Sequence, residues 1–279
     1  MADEFGHALM RAGVAASDIR GPTMDGQLVE IEARGEAGAV LVTVAQEFFS
    51  DADVLVAPNH PGVPDLFISD MDSTMIGQEC IDELADYAGI KPQIAEITER
   101  AMQGELDFES ALRERVALLA GLEESAIGRC LEERIRPMDG ARVLVQTLRS
   151  MGCRTVLVTG GFHHFADRVA TQLGFEHVVA NGLETSNGKL TGGLVGPIVD
   201  SSVKRSTLET EMRVLGEGAS SLATGDGAND IPMIEAATYG IAYHAKPKAR
   251  AAANGWISQG DLTSVLTLLG IPEEDWIEG

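Results

Sequence analysis

The stretch LFISDMDST, residues 66–74, is a short apolar run that leads directly into two aspartates, Asp70 and Asp72. A run of this kind, bounded by turn-forming residues, is typical of a strand buried on both faces of a parallel sheet. In such sheets the functional groups lie beyond the carboxyl ends of the strands. Asp70 and Asp72 are therefore the first candidates for the chemistry of this chain.

Downstream of Pro137 the sequence alternates between strand and helix patterns, which predicts an α/β fold with a parallel sheet. A hairpin is predicted around residues 186–188. The predicted strand segments are RTVLVTG (154–160), EHVVAN (176–181), SLATGDG (221–227) and GIAYH (240–244).

Between these two regions, residues 77–136 show four helical periods and no strand pattern, which predicts an inserted four-helix bundle. The first 64 residues combine a short helix with an alternating strand from Val29 to Arg34 and end in the turn-rich segment APNHPGVPD. We therefore predict a small N-terminal α+β region (1–64), a core (65–76 and 137–279) and a helical cap (77–136).

Composition excludes several classes of protein. The 279 residues carry a net charge of −22, which disfavours nucleic acid and anionic membrane surfaces as partners. The three cysteines are far apart, which excludes a disulfide framework and a thiolate zinc site. No apolar run approaches the length of a membrane span, and the start lacks a signal-peptide pattern, so we expect a cytoplasmic protein.

Two acidic motifs fall at predicted strand ends. DMDST contains Asp70 and Asp72, and GDGAND contains Asp226 and Asp230. Clustered buried carboxylates need a cation, and a donor set made only of oxygens favours Mg²⁺. Taken singly, either motif could equally be a turn or a helix cap. Together, in one alternating α/β chain, they favour a metal site.

A third strand end and two basic residues could bind an anion. VTGGF offers the Thr159 hydroxyl and the backbone N–H groups of Gly160 and Gly161 at the start of a helix, with a plain strand-to-helix turn as the alternative. On helical projections, Arg115 falls within an apolar stripe, and Lys204 lies on the same side as Leu208 and Leu215. A cation there requires an anionic partner, although a snorkelling side chain or an internal ion pair is an alternative for each. The stripe around Arg115 comprises Phe108, Ala111, Leu112, Leu118 and Leu119.

From residue 66 to about residue 270 the chain resembles the phosphoserine phosphatase family of the haloacid dehalogenase-like superfamily. The resemblance rests on DMDST, ELDFESALRERVALL, VTGGF, Lys204 and GDGAND, in the family order and spacing. It implies a Rossmann-like core with a four-helix cap and a Mg²⁺ cofactor. The implied reaction is hydrolysis of O-phospho-L-serine to L-serine and phosphate, the last step of serine biosynthesis.

The resemblance also implies roles for individual residues. Asp70 would form an aspartyl-phosphate, and Asp72 would act as general acid and then general base. Mg²⁺ would be held by the Asp70 side chain, the Asp72 backbone carbonyl and Asp226, with Asp230 supporting the cluster. The phosphoryl group would be bound by Thr159, Gly160, Lys204 and Asn229.

In the cap, the family match assigns Arg115 to the substrate carboxylate and Glu79 to its ammonium, with Phe108 as a third substrate-binding residue. Two features depart from the family pattern. Thr159 stands where the family has serine. The first 64 residues match only loosely, and we interpret them as a reduced relative of the amino-acid-binding ACT module with a structural or dimerising role, which makes a homodimer a further hypothesis.

Three other functions remain open on the sequence. One is a related enzyme that transfers the phosphoryl group to an alcohol such as homoserine, or that acts on phosphohomoserine. Another is a Mg²⁺-dependent receiver-like module, which would need neither Asp72 nor a cap. The third is an amino-acid sensor built on residues 1–64.

Overall fold

The computed structural model describes residues 2–11, 13–23, 28–34, 38–103 and 105–278. Residues 1, 12, 24–27, 35–37, 104 and 279 lie outside the described residues, and with them those parts of the predicted N-terminal region, cap and core. Within the described ranges, no helix combines the length and the apolar character that crossing a membrane requires.

The N-terminal elements pair with each other and with the rest of the chain. They are α1 (Ala2–Arg11), β1 (Ala15–Thr23), β2 (Leu28–Arg34), α2 (Gly38–Phe48) and β3 (Val54–Leu55). β1 and β2 form an antiparallel two-stranded sheet. β3 instead joins the edge of the large sheet of the chain, where the Asp53 carboxylate accepts the backbone N–H groups of residues 258–260 at 2.7–3.0 Å. The N-terminal region therefore supplies one strand of that sheet.

The remaining elements alternate as the sequence predicts, and the α/β fold with a parallel sheet is confirmed. Their bounds are β4 (Leu66–Ser69), α3 (Cys80–Tyr87), α4 (Lys91–Met102), α5 (Phe108–Ala117), α6 (Ser125–Arg134), α7 (Ala141–Ser150), β5 (Arg154–Phe162), α8 (His163–Leu173), β6 (His177–Ser186), β7 (Lys189–Val195), α9 (Ser201–Leu215), β8 (Ser221–Gly225), α10 (Ile231–Ala236), β9 (Tyr239–Tyr243), α11 (Pro247–Ala252), β10 (Gly255–Ile257) and α12 (Thr263–Leu268).

The large sheet has the strand order β3-β10-β9-β8-β4-β5-β6-β7. The six strands from β10 to β6 are parallel, and β3 and β7 are antiparallel edge strands. From β4 the chain first builds the β5 side and later the β8 side, so the topological switch point lies at β4. This topology brings the carboxyl ends of β4, β5 and β8 side by side.

β4 lies at the centre because all four of its side chains are buried. Leu66 and Ile68 pack with Val156 and Leu208 on one face of the sheet, whereas Phe67 belongs to the larger core on the other face. The alternation follows from the two-residue period of a strand. Burial on both faces explains why the run carries no polar residue before Ser69.

The helices α3–α6 lie between β4 and α7, and backbone hydrogen bonds are among the contacts that attach them to the rest of the chain. The two connecting segments run side by side, with Gly77 N–H donating to the Arg136 carbonyl at 3.1 Å and Met138 N–H to the Met75 carbonyl at 3.0 Å. A second attachment joins the α5–α6 loop to β7: Gly121 N–H donates to the Leu190 carbonyl at 2.8 Å. The division into cap and core at residues 77–136 stays a proposal.

The β6–β7 hairpin turns at Asn187 and Gly188, both with positive φ (52° and 74°), as a two-residue type I′ turn requires. It confirms the hairpin predicted around residues 186–188. Gly192, in β7, also has a positive φ of 84°. A Cβ there would lie 3.0 Å from Ala120 Cβ and 3.1 Å from the Ala117 carbonyl oxygen, so glycine permits close contact with the cap.

We expect Gly192→Ala to lower the free energy of unfolding more than Gly188→Ala does. Both changes place a side chain at a positive φ, which costs about 1–2 kcal/mol. A Cβ at Gly192 would also lie against atoms of the cap, whereas a Cβ at Gly188 would have nothing within 4 Å. Urea unfolding of the two variants measures the difference. Equal destabilisation would show that close packing at Gly192 contributes nothing.

Candidate active site

Three strand ends meet at the switch point and carry the predicted site residues. Asp70 follows β4, Asp226 follows β8, and Thr159 and Gly160 lie near the end of β5. β5 and β8 flank β4 and run parallel to it. The carboxyl ends of the three strands therefore share one edge of the sheet, where the structure brings these residues together.

Lys204 holds two carboxylates at the centre of this edge. It lies in the first turn of α9, and its ammonium nitrogen is 2.7 Å from Asp70 Oδ1 and 2.7 Å from Asp230 Oδ1. All three side chains are buried, with exposures of 1%, 5% and 0%. Burial lowers the pKa of Lys204, but the two carboxylates outweigh burial and raise it. Lys204 is therefore charged, and it neutralises only one of its two partners.

The orientation of Asp70 is fixed by its contacts. Its Oδ1 accepts a second hydrogen bond from the Met71 N–H at 2.8 Å, and its own N–H donates to the Thr224 carbonyl at 3.0 Å. Burial raises the pKa of Asp70, and Asp230 raises it further, while Lys204 opposes both. Lys204 therefore favours the ionised form of Asp70, whereas burial and Asp230 disfavour it.

Asp230 organises the loop between β8 and α10. Its Oδ2 accepts the backbone N–H groups of Asp226, at 3.2 Å, and Gly227, at 3.0 Å, while its Oδ1 faces Lys204. Both oxygens of Asp230 are thus engaged within the protein. Asp230 shapes the loop that presents Asp226 to the site.

The carboxylates of this cluster fit a divalent cation. Asp70, Asp226 and Asp230 each present an oxygen, and these oxygens lie within 4.8 Å of one another. Burial raises the pKa of Asp226, and Lys246, at 3.4 Å, counters this effect only in part. The donors are oxygens without histidine or cysteine, which suits Mg²⁺. A cation would supply the charge that Lys204 leaves unbalanced.

Asp72 lies in the turn that follows β4. The turn is tight, because the Met71 carbonyl accepts the N–H groups of Thr74, Met75 and Ile76. Asp72 Oδ2 accepts the N–H of Cys80 at 3.3 Å, at the first residue of α3, whereas Oδ1 is buried without a hydrogen-bond partner among the described residues. Burial raises the pKa of Asp72 to about 7, with a further contribution from Glu79. A carboxyl group with this pKa can both donate and accept a proton near neutral pH.

We expect the stability of Asp72→Asn relative to the unchanged protein to increase from pH 4 to pH 8, in the absence of divalent ions. Folding raises the pKa of Asp72 from 3.8 to about 7, so its ionisation destabilises the folded state progressively as the pH rises through this window. The difference should reach roughly 2–4 kcal/mol, since one pKa unit corresponds to about 1.4 kcal/mol. Urea unfolding with EDTA at pH 4, 6 and 8 measures it.

The control for this comparison is Asp167→Asn, which changes an exposed carboxylate. It should show no comparable gain in stability at pH 8. A stability difference for Asp72→Asn that does not depend on pH would contradict the pKa shift.

The end of β5 forms a backbone cradle. Thr159 is 1% exposed, and its hydroxyl oxygen accepts the Gly161 N–H at 2.9 Å. The Gly160 carbonyl accepts a hydrogen bond from Asn181 Nδ2 at 2.8 Å, which braces the strand end. A Cβ at Gly161 would lie 3.1 Å from Met71 Cε and 3.5 Å from Asp72 Oδ2. Glycine therefore allows this backbone to approach the Asp72 turn.

The cap contributes one acidic and one basic residue to the mouth of the site. Glu79 precedes α3, and its Oε1 accepts the Ser73 hydroxyl at 2.9 Å. Arg115, on α5, is half-buried, and its Nε donates to the Ala111 carbonyl at 3.3 Å. Burial lowers the pKa of Arg115, whereas Asp82 and Glu79 raise it. No described carboxylate forms an ion pair with Arg115, so its guanidinium can accept an anionic ligand.

The residues of the apolar stripe predicted around Arg115 are not all buried. Phe108 and Leu118 are each 41% exposed, although Ala111 and Leu112 are buried. A helical projection identifies side chains that share a face but not what covers that face. The Phe108 ring lies over the end of β5, with its Cζ 3.4 Å from the position that a Cβ on Gly160 would occupy.

The structure locates one further predicted residue of the site and adds residues that the sequence did not predict. Asn229 lies exposed on the β8–α10 loop, at the edge of the carboxylate cluster. Lys246 and Asn181 were not predicted: an exposed lysine after β9 and an asparagine within a strand carry no distinctive signal. Ser73 was not predicted either, and its only signal in the sequence is its place in DMDST.

Comparison with known proteins identifies a family. A model of haloacid dehalogenase-like hydrolases matches residues 67–235. This span begins in β4 and ends in α10, so it contains Asp70, Asp226 and Asp230 as well as the helices α3–α6.

Individual relatives extend the similarity. A phosphoserine phosphatase from Streptomyces coelicolor is 42% identical over 84% of this chain, and this chain spans 57% of its length. One from Streptococcus thermophilus is 46% identical over 74% of this chain and 96% of its own. The solved structure of a probable phosphoserine phosphatase from Vibrio cholerae superposes with a TM-score of 0.74 at 34% identity, covering 98% of this chain and 84% of that one.

Proposed function

The chain belongs to the haloacid dehalogenase-like hydrolase family, and from that membership we propose that it hydrolyses O-phospho-L-serine to L-serine and phosphate. The observation that carries the choice of substrate is the pair of opposite charges Glu79 and Arg115, of which Glu79 is hydrogen-bonded to the turn after β4 and lies close enough to Arg115 to raise its pKa. Phosphoserine carries an ammonium and a carboxylate besides its phosphate. One acidic and one basic side chain match these two groups.

Asp70 is the proposed nucleophile. Its carboxylate oxygen attacks phosphorus, the phosphorus–oxygen bond to the serine side chain breaks, and an aspartyl-phosphate forms. The hydrogen bonds from Met71 N–H and Lys204 to Oδ1 support this role, because they hold the carboxylate in one orientation before attack. Water then attacks the same phosphorus and releases phosphate from Asp70.

Asp72 is the proposed general acid and base. In its neutral form it donates a proton to the departing serine oxygen, and its carboxylate then accepts a proton from the attacking water. The pKa of about 7 supports both roles at neutral pH. The hydrogen bond from the Cys80 N–H orients the carboxylate.

The phosphoryl oxygens are proposed to lie against four residues. The N–H of Gly160, the hydroxyl of Thr159 and the ammonium of Lys204 would each donate to a phosphoryl oxygen, and Asn229 would complete the set from the neighbouring loop. Donors fixed in advance stabilise the charge that accumulates on phosphorus-bound oxygens in the transition state. The methyl group of Thr159 faces the same buried surroundings as the hydroxyl, which restricts its rotamer.

Mg²⁺ is the proposed cofactor, held by Asp70, Asp226 and the Asp72 backbone carbonyl. Asp230 remains a supporting residue, because its two oxygens are already engaged by Lys204 and by backbone N–H groups. When bound, the cation screens the repulsion between the phosphate and the Asp70 carboxylate.

The wider setting is also a proposal. We propose that the protein carries out the last step of serine biosynthesis in the cytoplasm and binds neither nucleic acid nor membranes. The net charge of −22 supports the exclusion of polyanionic partners.

We expect phosphoserine to be the preferred substrate in a phosphate-release panel with phosphothreonine, phosphoethanolamine and a sugar phosphate. Arg115→Ala should lower kcat/KM for phosphoserine about 10- to 100-fold, the loss typical of a hydrogen bond to a charged group. It should leave kcat/KM for phosphoethanolamine, which lacks the carboxylate, nearly unchanged.

Arg113→Ala is the matched control, because Arg113 lies on the same helix but is exposed and paired with Glu109. It should retain the preference for phosphoserine. Equal turnover of phosphoserine and phosphoethanolamine by the unchanged enzyme would refute the proposed recognition. Phosphate transfer to added homoserine, without release of free phosphate, would favour the phosphotransferase.

We expect Mg²⁺ to raise the melting temperature of the protein and Asp226→Asn to reduce that increase. The cation relieves the repulsion among buried carboxylates and binds only the folded cluster. Thermal unfolding at increasing Mg²⁺ concentrations measures the effect, with Asp167→Asn as a control outside the cluster. An unchanged Mg²⁺ response in Asp226→Asn would place the cation elsewhere.

A further inference from the structure

Ser73 combines an unusual backbone conformation with a specific side-chain contact. Its φ is 56°, in the left-handed region that residues with a Cβ seldom adopt. Such a conformation persists only where the surroundings impose it, and it is found preferentially at functional sites. Ser73 directly follows Asp72, in the turn organised by the Met71 carbonyl. The conformation determines where its hydroxyl points.

The hydroxyl of Ser73 donates to Glu79 Oε1 at 2.9 Å. Glu79 is the N-cap residue of α3, a position whose side chain ordinarily accepts a backbone N–H of the first turn. The Glu79 side chain makes no such capping bond. Its carboxylate instead turns back toward Ser73. The Glu79 backbone is independently fixed, because its carbonyl accepts the N–H groups of Asp82 and Glu83 at 3.0 and 3.1 Å.

The contact links two parts of the proposed site. Ser73 belongs to the turn that carries the proposed nucleophile and general acid, whereas Glu79 is the N-cap residue that precedes α3, the first cap helix. The hydrogen bond therefore fixes the distance between the carboxylate proposed for the ammonium and the residues proposed for the phosphate. It engages Oε1 of Glu79 and leaves Oε2 for a ligand.

We propose that Ser73 is a positioning residue that holds Glu79 in the orientation required to bind the substrate ammonium, so that selectivity for an amino-acid phosphate depends on its hydroxyl. This inference rests on the proposed function. Ser73 acts through Glu79 and takes no part in the chemical step.

The test compares phosphoserine with 3-phosphoglycerate, in which a hydroxyl replaces the ammonium. The readout is the ratio of kcat/KM for the two substrates, measured in the unchanged enzyme, Ser73→Ala, Ser73→Gly and Glu79→Gln. We expect Ser73→Ala and Ser73→Gly each to lower this ratio about 5- to 10-fold, mainly through KM for phosphoserine. Glycine tolerates the positive φ, so Ser73→Gly removes the hydroxyl without adding strain.

Glu79→Gln provides the second arm. In the Glu79→Gln background, Ser73→Gly should lower the ratio no further, because the residue through which Ser73 acts has lost its charge. An undiminished ratio in Ser73→Gly would overturn the proposal, as would equal losses for both substrates. Independent losses from the two changes would also overturn it.

The unchanged enzyme separates this proposal from the proposed function. If the unchanged enzyme fails to hydrolyse phosphoserine, or does not prefer phosphoserine to 3-phosphoglycerate, the proposed function fails whatever the variants do. If it prefers phosphoserine and the Ser73 variants keep that preference, only the role of Ser73 fails.

Discussion

The ammonium of Lys204, placed between Asp70 and Asp230, is the interaction on which the arrangement of the site depends. The three charged groups come from α9, the turn after β4 and the loop after β8. Removing such charges from water is costly, and the cost is offset only if the pairs are well aligned and hydrogen-bonded. The Lys204 contacts therefore hold three separate segments together at the switch point of the sheet. The negative charge that Lys204 does not neutralise suits a divalent cation.

The cap is coupled to this centre through the turn after Asp70. Asp72 accepts a hydrogen bond from Cys80, and Ser73 donates one to Glu79, so both contacts join the turn to the start of α3. Movement of α3 away from the turn would break both. The orientation of the proposed acid and that of the proposed ammonium ligand therefore both depend on the position of α3 relative to the turn.

Sequence predicted the parts of the site that follow from sheet topology. Asp70 and Asp226 end parallel strands, and such ends converge at a switch point. Lys204 was predicted because a lysine on an apolar face requires an anion. Periodicity could not predict that Phe108 overhangs the site, since its exposure depends on what packs against α5. Nor could it predict the bond between Ser73 and Glu79, which depends on a φ of 56° that nothing in the residue type demands.

The overall charge of the protein constrains how the site attracts its ligand. A chain with a net charge of −22 presents a repulsive field to a phosphate ester at long range. Screening in physiological salt confines this field to about 8 Å from the surface charges. Attraction of the proposed substrate would therefore arise within the site, from Lys204, Arg115 and the proposed cation acting over short distances in a medium of low dielectric constant. The acidic surface disfavours polyanions, and a small phosphate ester would be attracted only where Arg115 and a cation on the carboxylate cluster outweigh the neighbouring carboxylates.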